Sequence, residues 1–376
     1  MAGIGICKFG KYDGQKGRPL KSFVDLGREA VMNAWEDAGV RWKDIEGAFC
    51  GTVYSGLGAG HQILSQIGLT GIPIVNVENA CSSSSSAFRL AYQSVATGLH
   101  DVCLAVGVDK VPGGLIPSQG WPVWQRRMGF NVQPAAYALE FVRYMEEYGA
   151  TIEQFAKVTV KNRRNGALNP NAMFQQGITI QEVLSSRMIS KPLRFLMCCP
   201  NADGAVAAVL VSGDRFRSRT KRVTVAASVL VSSMYGVERG GGSVRIQNPD
   251  RAELAAGKAY EISGCGPEDI NLVEAYDAMG PEELLSVERL GFCRKGEAGH
   301  LLEEGVFDID GRIPVNTSGG LLSRGHPLGA TGLAQIAEVV WQLRGEAGPR
   351  QVPGAEVGMA NTLGAGPNCC ITILKR

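Results

Sequence analysis

Two residues stand where a protein can build nucleophilic chemistry. Cys81 lies in VENACSSSSSAFRL, residues 77 to 90, between a stretch that reads as a strand and one that reads as a helix. With the strand ending near Asn79 and the helix starting near Ser82, the thiol falls at a strand-to-helix turn. Unpaired N–H groups and the helix dipole favour a thiolate there, and a thiol pKa of about 8.5 can fall by one to several units. The bland alternative for this spacing is a small buried cysteine in a tightly packed helix start. His326 lies in NTSGGLLSRGHPLGATG, residues 316 to 332, between Gly325 and Pro327. Proline fixes the backbone and removes an amide donor, while glycines let another chain or a substrate approach closely. A histidine held this way can act as a base toward a thiol or as a donor to an oxyanion. A lone histidine also has a purely structural reading.

Five serines follow Cys81. A flexible serine linker would be flanked by polar residues and glycine, but VNVENA and AFRLAYQSV flank this one, so an ordered tract is expected. Its small side chains let a helix pack close to its neighbours, and its hydroxyls can bond back to carbonyls of the preceding turn.

The surrounding elements alternate as in an α/β protein, with 49 glycines punctuating short apolar strands and amphipathic helices. SFVDLGREAVMNAWEDAGV (22 to 40) has helical spacing, and IEGAFCGTVY (45 to 54) reads as a strand entering a Gly-rich turn. IPIVNVENA, the serine tract with AFRLAYQSVATG, and DVCLAVGVDK then form a βαβ unit. Residues 111 to about 190 break the rhythm with aromatics, Arg, Gln and helical pieces, and are expected as an excursion over the active face. KPLRFLMCCPNADGAVAAVLVSG (191 to 213) returns to a strand-like alternation. From residue 221 the pattern restarts: KRVTVAASVLVSS and INLVEAYDAM as strands, and PEELLSVERLGF as a helix with Pro281 in its first turn. A Gly-rich turn and long helix over 315 to 345, then a turn and a closing strand, complete the second half. The repeat predicts two halves, 1–215 with the excursion at about 111–190, and 216–376.

Composition narrows the function classes. A net charge of +2 gives no reason to expect nucleic acid or an anionic membrane as partner. No signal-peptide-like start and no run of about 18 apolar residues is present, so a soluble cytoplasmic protein without membrane segments is expected. The ten cysteines never occur as Cys-x-x-Cys, which points to a reducing compartment. The pairs Cys198-Cys199 and Cys369-Cys370 read as buried structural thiols on strands. Four histidines that never cluster leave no zinc site to expect within this chain.

Taken in order, GTVYSGLGAGHQ, VENACSSSSSAF, CCPNADGAVA, NTSGGLLSRGHPLGATG and LGAGPNCCITIL resemble the thiolases across nearly the whole chain. The resemblance implies an α/β thiolase fold: two similar halves in a layered αβαβα core, a loop domain inserted in the first half, and commonly a dimer. It implies that Cys81 takes the acyl group, and that His326 deprotonates it and helps bind the thioester oxygen. It assigns Asn316 to the loop around the histidine and, with Ser318, Gly319, Gly364 and Gly366, to substrate binding. No bound cofactor or metal is implied; coenzyme A is a cosubstrate.

The departures narrow the activity further. Thiolases carry Asn-Glu-Ala-Phe, and the sterol-carrier-protein type carries His-Asp-Cys-Phe, where this chain has Tyr276-Asp277-Ala278-Met279. The second cysteine of a C-terminal Cys-x-Gly motif is absent from GMANTLGAG, residues 358 to 366. Without that base, acetyl-CoA condensation is disfavoured, whereas cleavage needs only an acid for the departing carbanion. Tyr276 is the candidate acid, with packing as its alternative; Asp277 is expected to orient His326 or a water, or else to form an Asx turn or cap before Pro281. Arg126, Arg127, Arg163 and Arg164 have the chemistry to meet coenzyme A phosphates, although solvated surface arginine is the simpler reading of each. The pattern resembles sterol-carrier-protein-type thiolases that work with a small zinc-ribbon and OB-fold protein, one type of which cleaves benzoylsuccinyl-CoA. The expected function is cleavage of a bulky or branched 3-oxoacyl-CoA through acyl-Cys81. The alternatives are a retro-aldol lyase of the same fold acting on a sterol-side-chain-like acyl-CoA, and a non-catalytic scaffold.

Overall fold

Local signals set the helix ends. Ser22 and Asp25 form a capping box at the start of α1 (Phe23–Ala38), and Gly39 in the left-handed conformation ends it. The computed structural model describes residues 1–116, 123–129, 132–213, 221–234, 250–365 and 367–376. The first half runs β1 (Gly3–Ile6), α1, β2 (Gly47–Gly51), α2 (Ala59–Ser65), β3 (Ile74–Val77), α3 (Ser83–Ala96) and β4 (Val102–Lys110). The excursion holds α4 (Val123–Arg127), α5 (Gln133–Tyr148), α6 (Ile152–Ala167), α7 (Ile180–Ser185) and the hairpin of β5 (Met188–Ser190) with β6 (Leu193–Arg194), before β7 (Asp203–Val211) rejoins the sheet. The second half runs β8 (Thr224–Ser232), α8 (Arg251–Ser263), β9 (Leu272–Glu274), α9 (Glu282–Arg289), α10 (Ala298–Glu303), α11 (Gly320–Arg324), α12 (Thr331–Arg344), β10 (Val357–Gly364) and β11 (Asn368–Lys375).

The two sheets repeat one another. The first has the order β1-β7-β4-β2-β3 and the second β8-β11-β10-β9. Each combines parallel pairings (β4 with β2 and β2 with β3; β10 with β9) with antiparallel ones (β7 with β4 and β1; β11 with β10 and β8). Helix α1 packs on the first sheet, α8 on the second, and α3 and α12 lie against each other between them. That is a five-layer αβαβα stack. The division expected between 215 and 216 falls outside the described residues.

The serine tract is what lets the central layer close. A Cβ on Gly51 of β2 would stand 2.4 Å from the Ser83 backbone, and one on Gly107 of β4 would stand 2.5 Å from the Ser84 Cβ. On the other side of α3, a Cβ on Gly332 of α12 would lie 1.8 Å from the Ser85 hydroxyl. Serine hydroxyls also carry hydrogen bonds: Ser84 Oγ accepts the Leu333 N–H at 3.0 Å, and Ser83 Oγ donates to the Ala80 carbonyl at 2.7 Å. Close packing, with the Ser83 and Ser84 hydroxyls hydrogen-bonded, makes the tract an ordered helix start rather than a linker.

Two expectations change. The closing segment is a pair of antiparallel strands, β10 and β11, rather than a turn and one strand; Cys369 and Cys370 are buried on β11. Cys198 and Cys199 are half-buried and lie before β7, not on it. Pro200 interrupts the strand there, and the stretch pairs instead with two loops described below. Among the described residues no helix is long and apolar enough to cross a membrane.

Candidate active site

Cys81 sits between β3 and α3, in a turn closed by the Ser82 and Ser83 N–H groups donating to the Asn79 and Ala80 carbonyls at 3.1 and 3.0 Å. Ala80 takes a left-handed φ of 50° to make it. The helix entry was foreseen, but its effect on the thiol is outweighed. Cys81 is only 5% accessible, and burial pushes its pKa above the ordinary value, opposed by a hydrogen bond from the Tyr276 hydroxyl and by the Ala365 N–H. Desolvating a charge outweighs a helix terminus when the sulfur is out of water. The resting thiol is therefore protonated and depends on a base.

His326 lies across the Tyr276 ring in the same site. Its ring stands edge-on to the Tyr276 ring, with centroids 6.0 Å apart, so Tyr276 touches both partners. Its backbone N–H donates to the Pro200 carbonyl at 3.1 Å, and Nδ1 lies 2.7 Å from the Thr331 hydroxyl. Burial, then the nearby Arg324, pushes the imidazole down to about 3, so it is neutral. A neutral imidazole beside a protonated thiol is the reactant state for general-base activation.

The loop after β9 brings Tyr276 into place through a network of buried polar groups. Asn316, at φ 55°, accepts the Ala275 N–H at 2.9 Å through Oδ1 and donates to Glu283 at 2.7 Å through Nδ2. Lys161 pairs with Glu283 at 3.0 Å, and Asn162 bridges Glu283 and Asp277 at 2.7 and 2.9 Å. Asn316 thus braces the loop that carries Tyr276, and its amide oxygen and nitrogen are both used inside the protein rather than on a substrate. Asp277 does not orient His326. Its carboxylate accepts the Leu321 and Leu322 N–H groups at 2.7 and 3.3 Å, capping α11, the helix that leads to His326. Burial, then Glu283, raises it to about 7.

Other expected residues part from the site. Ser318 is buried, donating to Glu274 at 2.6 Å and accepting from Arg324 at 3.0 Å, so its hydroxyl is used inside the protein. A Cβ on Gly319 would stand 2.6 Å from the Gly166 backbone, so this glycine serves the approach of α6 rather than a substrate. Gly364 is packed against Asn368 and the Asn79 carbonyl, and its neighbour Ala365 supplies the N–H that reaches Cys81. Gly366 lies outside the described residues. Arg163 stacks on Phe174 at 3.9 Å and Arg164 pairs with Asp308 at 2.6 Å, while Arg126 and Arg127 are exposed on the short α4.

Two residues escaped the sequence reading. Asp109, at the end of β4, is buried and accepts the Tyr54 N–H at 2.7 Å, the Thr52 hydroxyl at 2.9 Å and the Gly329 N–H at 2.6 Å. It ties the 52–55 loop beside Cys81 to the histidine loop. An acidic residue ending an apolar strand was the available signal. Cys199 donates its N–H to the Ala278 carbonyl at 2.9 Å, one residue from the Pro200 that holds His326. Burial, then Cys198, Asp277 and Cys81, raises its thiol well above the ordinary value. A second sulfur therefore borders the site, although the C-terminal motif has none.

The family profile for the thiolase N-terminal domain matches residues 6–114, and that for the thiolase C-terminal domain-like family matches 246–376. An acetyl-CoA acetyltransferase of Methanothermobacter thermautotrophicus is 42% identical over 367 residues, covering 94% of this chain and 95% of its own. The benzoylsuccinyl-CoA thiolase subunit BbsB of Thauera aromatica is 38% identical over 376 residues, covering 97% and 94%. Among solved structures, the Ltp2-ChsH2(DUF35) aldolase superposes with a TM-score of 0.85 at 29% identity, covering 99% of this chain and 96% of that one. With the cysteine, the histidine loop and the αβαβα core in thiolase order, this chain belongs to the thiolase family and is an acyltransferase of the thiolase type.

Proposed function

We propose that the protein cleaves a bulky or branched 3-oxoacyl-CoA, transferring the acyl group through Cys81 to coenzyme A. The observation that carries this reading is the contact of Tyr276 with both Cys81 and the neutral His326 in one buried site. His326 takes the Cys81 proton as sulfur attacks the 3-keto carbon, with the Ala365 N–H close by to stabilise developing charge. Collapse breaks the C2–C3 bond; the electron pair goes to C2, which takes the Tyr276 hydroxyl proton. Protonated His326 returns a proton to Tyr276. Coenzyme A then gives its thiol proton to His326, attacks the acyl-cysteine and releases Cys81, which regains the proton.

Cys81 belongs to a buried apolar cluster with Val111, Tyr137, Phe141, Tyr276, Met279 and Leu328. Apolar surroundings of the thiol are compatible with an aromatic acyl group, and the BbsB likeness supports benzoylsuccinyl-CoA as substrate, cleaved to benzoyl-CoA and succinyl-CoA. BbsB is named as a subunit and the solved aldolase includes a DUF35 component, which supports a small zinc-binding OB-fold partner beside a homodimer of this chain. The aldolase likeness also favours a second reading, retro-aldol cleavage without an acyl-enzyme.

Intact-protein mass spectrometry after mixing with benzoyl-CoA and short acyl-CoAs separates the two. Acyl transfer requires an adduct on the wild type that Cys81→Ser lacks. No adduct, with the small partner present, would shift the reading to the lyase.

A further inference from the structure

We propose that Thr331 is a positioning residue that fixes His326 in the Nδ1–H tautomer and so leaves Nε2 as its basic nitrogen. This rests on the reading of His326 as the base for Cys81. The Thr331 hydroxyl has one proton and two neighbours within hydrogen-bond distance: the Pro327 carbonyl at 3.0 Å and His326 Nδ1 at 2.7 Å. The Pro327 carbonyl, which also takes the Ala330 N–H at 2.8 Å, can only accept; in the proposed arrangement the hydroxyl donates to it and turns a lone pair to the ring. Nδ1 must then be the donor.

Burial makes this choice binding. Thr331 has no accessible surface and His326 has 6%, so water does not compete for the shared hydrogen bond. A flipped tautomer would either set a bare Nδ1 against a lone pair or turn the hydroxyl off the Pro327 carbonyl, and a buried hydrogen bond given up in this way is unfavourable. Nε2 makes no hydrogen bond among the described residues, which leaves its lone pair for a proton. Thr331 is also the first residue of α12, whose positive N-terminal end disfavours a resting imidazolium. The loop cannot easily rotate away, because the Gly329 N–H is anchored to Asp109 at 2.6 Å and the His326 N–H to Pro200 at 3.1 Å.

The direct test is the tautomer itself. With only four histidines, nitrogen-15 histidine labelling and long-range proton–nitrogen correlation at pH 7.5 can assign His326 by its loss in His326→Asn. The expected pattern is a protonated Nδ1 and a bare Nε2 in the wild type, retained in Thr331→Ser and changed toward Nε2–H in Thr331→Val. Cys81 acylation is expected to slow on the order of 10²-fold or more in Thr331→Val, as wrong-tautomer and orienting-group changes do, and to stay within several-fold in Thr331→Ser. A wild-type ring protonated at Nε2 overturns the proposal even if the valine variant fails to fold, and so does an unchanged tautomer in a folded valine variant. An Nδ1–H ring in a protein that never forms acyl-Cys81 would overturn the acyl-transfer reading and leave the positioning role standing.

Discussion

Removing His326 or Asp277 should tilt the pH dependence of stability in opposite directions. Burial and Arg324 lower His326 from 6.5 to about 3, whereas burial and Glu283 raise Asp277 from 3.8 to about 7. Between pH 6.5 and 3 the unfolded chain binds a proton at His326 that the folded chain refuses. The histidine's contribution is therefore complete above 6.5 and is lost as pH falls. Between 3.8 and 7 the folded chain holds a proton on Asp277 that the unfolded chain releases. The aspartate's contribution is therefore complete below 3.8 and is lost as pH rises. Each pH unit inside a window is worth about 1.4 kcal/mol. Lowering the pH by about two units, from about 6.5 to about 4.5, should cost the wild type roughly 2 kcal/mol relative to His326→Asn and gain it roughly 2 kcal/mol relative to Asp277→Asn. Urea unfolding of the three proteins at both pH values measures this, since groups common to all cancel in the differences. Parallel wild-type and variant curves, or shifts of one sign, would refute a buried neutral imidazole at His326 and a buried carboxyl at Asp277 that keeps its proton.

Tyr276→Phe is expected to leave acylation of Cys81 by a simple acyl-CoA within several-fold and to slow carbon–carbon cleavage about 10²- to 10⁴-fold, the usual range for a lost general acid. Single-turnover measurement of both steps checks this, with Cys199→Ser as control; slow cleavage in the serine variant alone would transfer the acid role to Cys199. Ser84→Leu pushes bulk toward Gly107 and strips the Leu333 N–H of its acceptor. Overpacking and an unmade buried hydrogen bond each cost about 1–3 kcal/mol, so thermal unfolding should come several degrees earlier, and an unchanged midpoint would show that α3 has room to spare.

The turn that carries Cys81, the capping box of α1 and the start of α3 within one residue of the expected Ser82 were legible because caps, turns and periodicity are written within a few neighbouring residues. The excursion between β4 and β7 was legible as a break in the strand–helix rhythm. The loop role of Asn316 came from its motif, and its left-handed backbone and paired hydrogen bonds agree with it. The same motif-level reading misassigned Ser318 and Gly319, since a glycine-rich loop looks alike whether its small residues face a substrate or a packed helix.

What the sequence by itself determined is the set of reacting groups, their order and the local turns that expose or cap them. Tertiary structure alone decided their state. It buried Cys81 so that desolvation overrides the helix terminus, turned Asp277 onto α11 rather than His326, and set Cys199 beside a site whose C-terminal motif lacks a thiol. It joined Asp109 to Gly329 across 220 residues of chain. Charge, protonation and hydrogen-bond partners depend on which distant groups replace water around a side chain, and that replacement exists only once the two halves have packed.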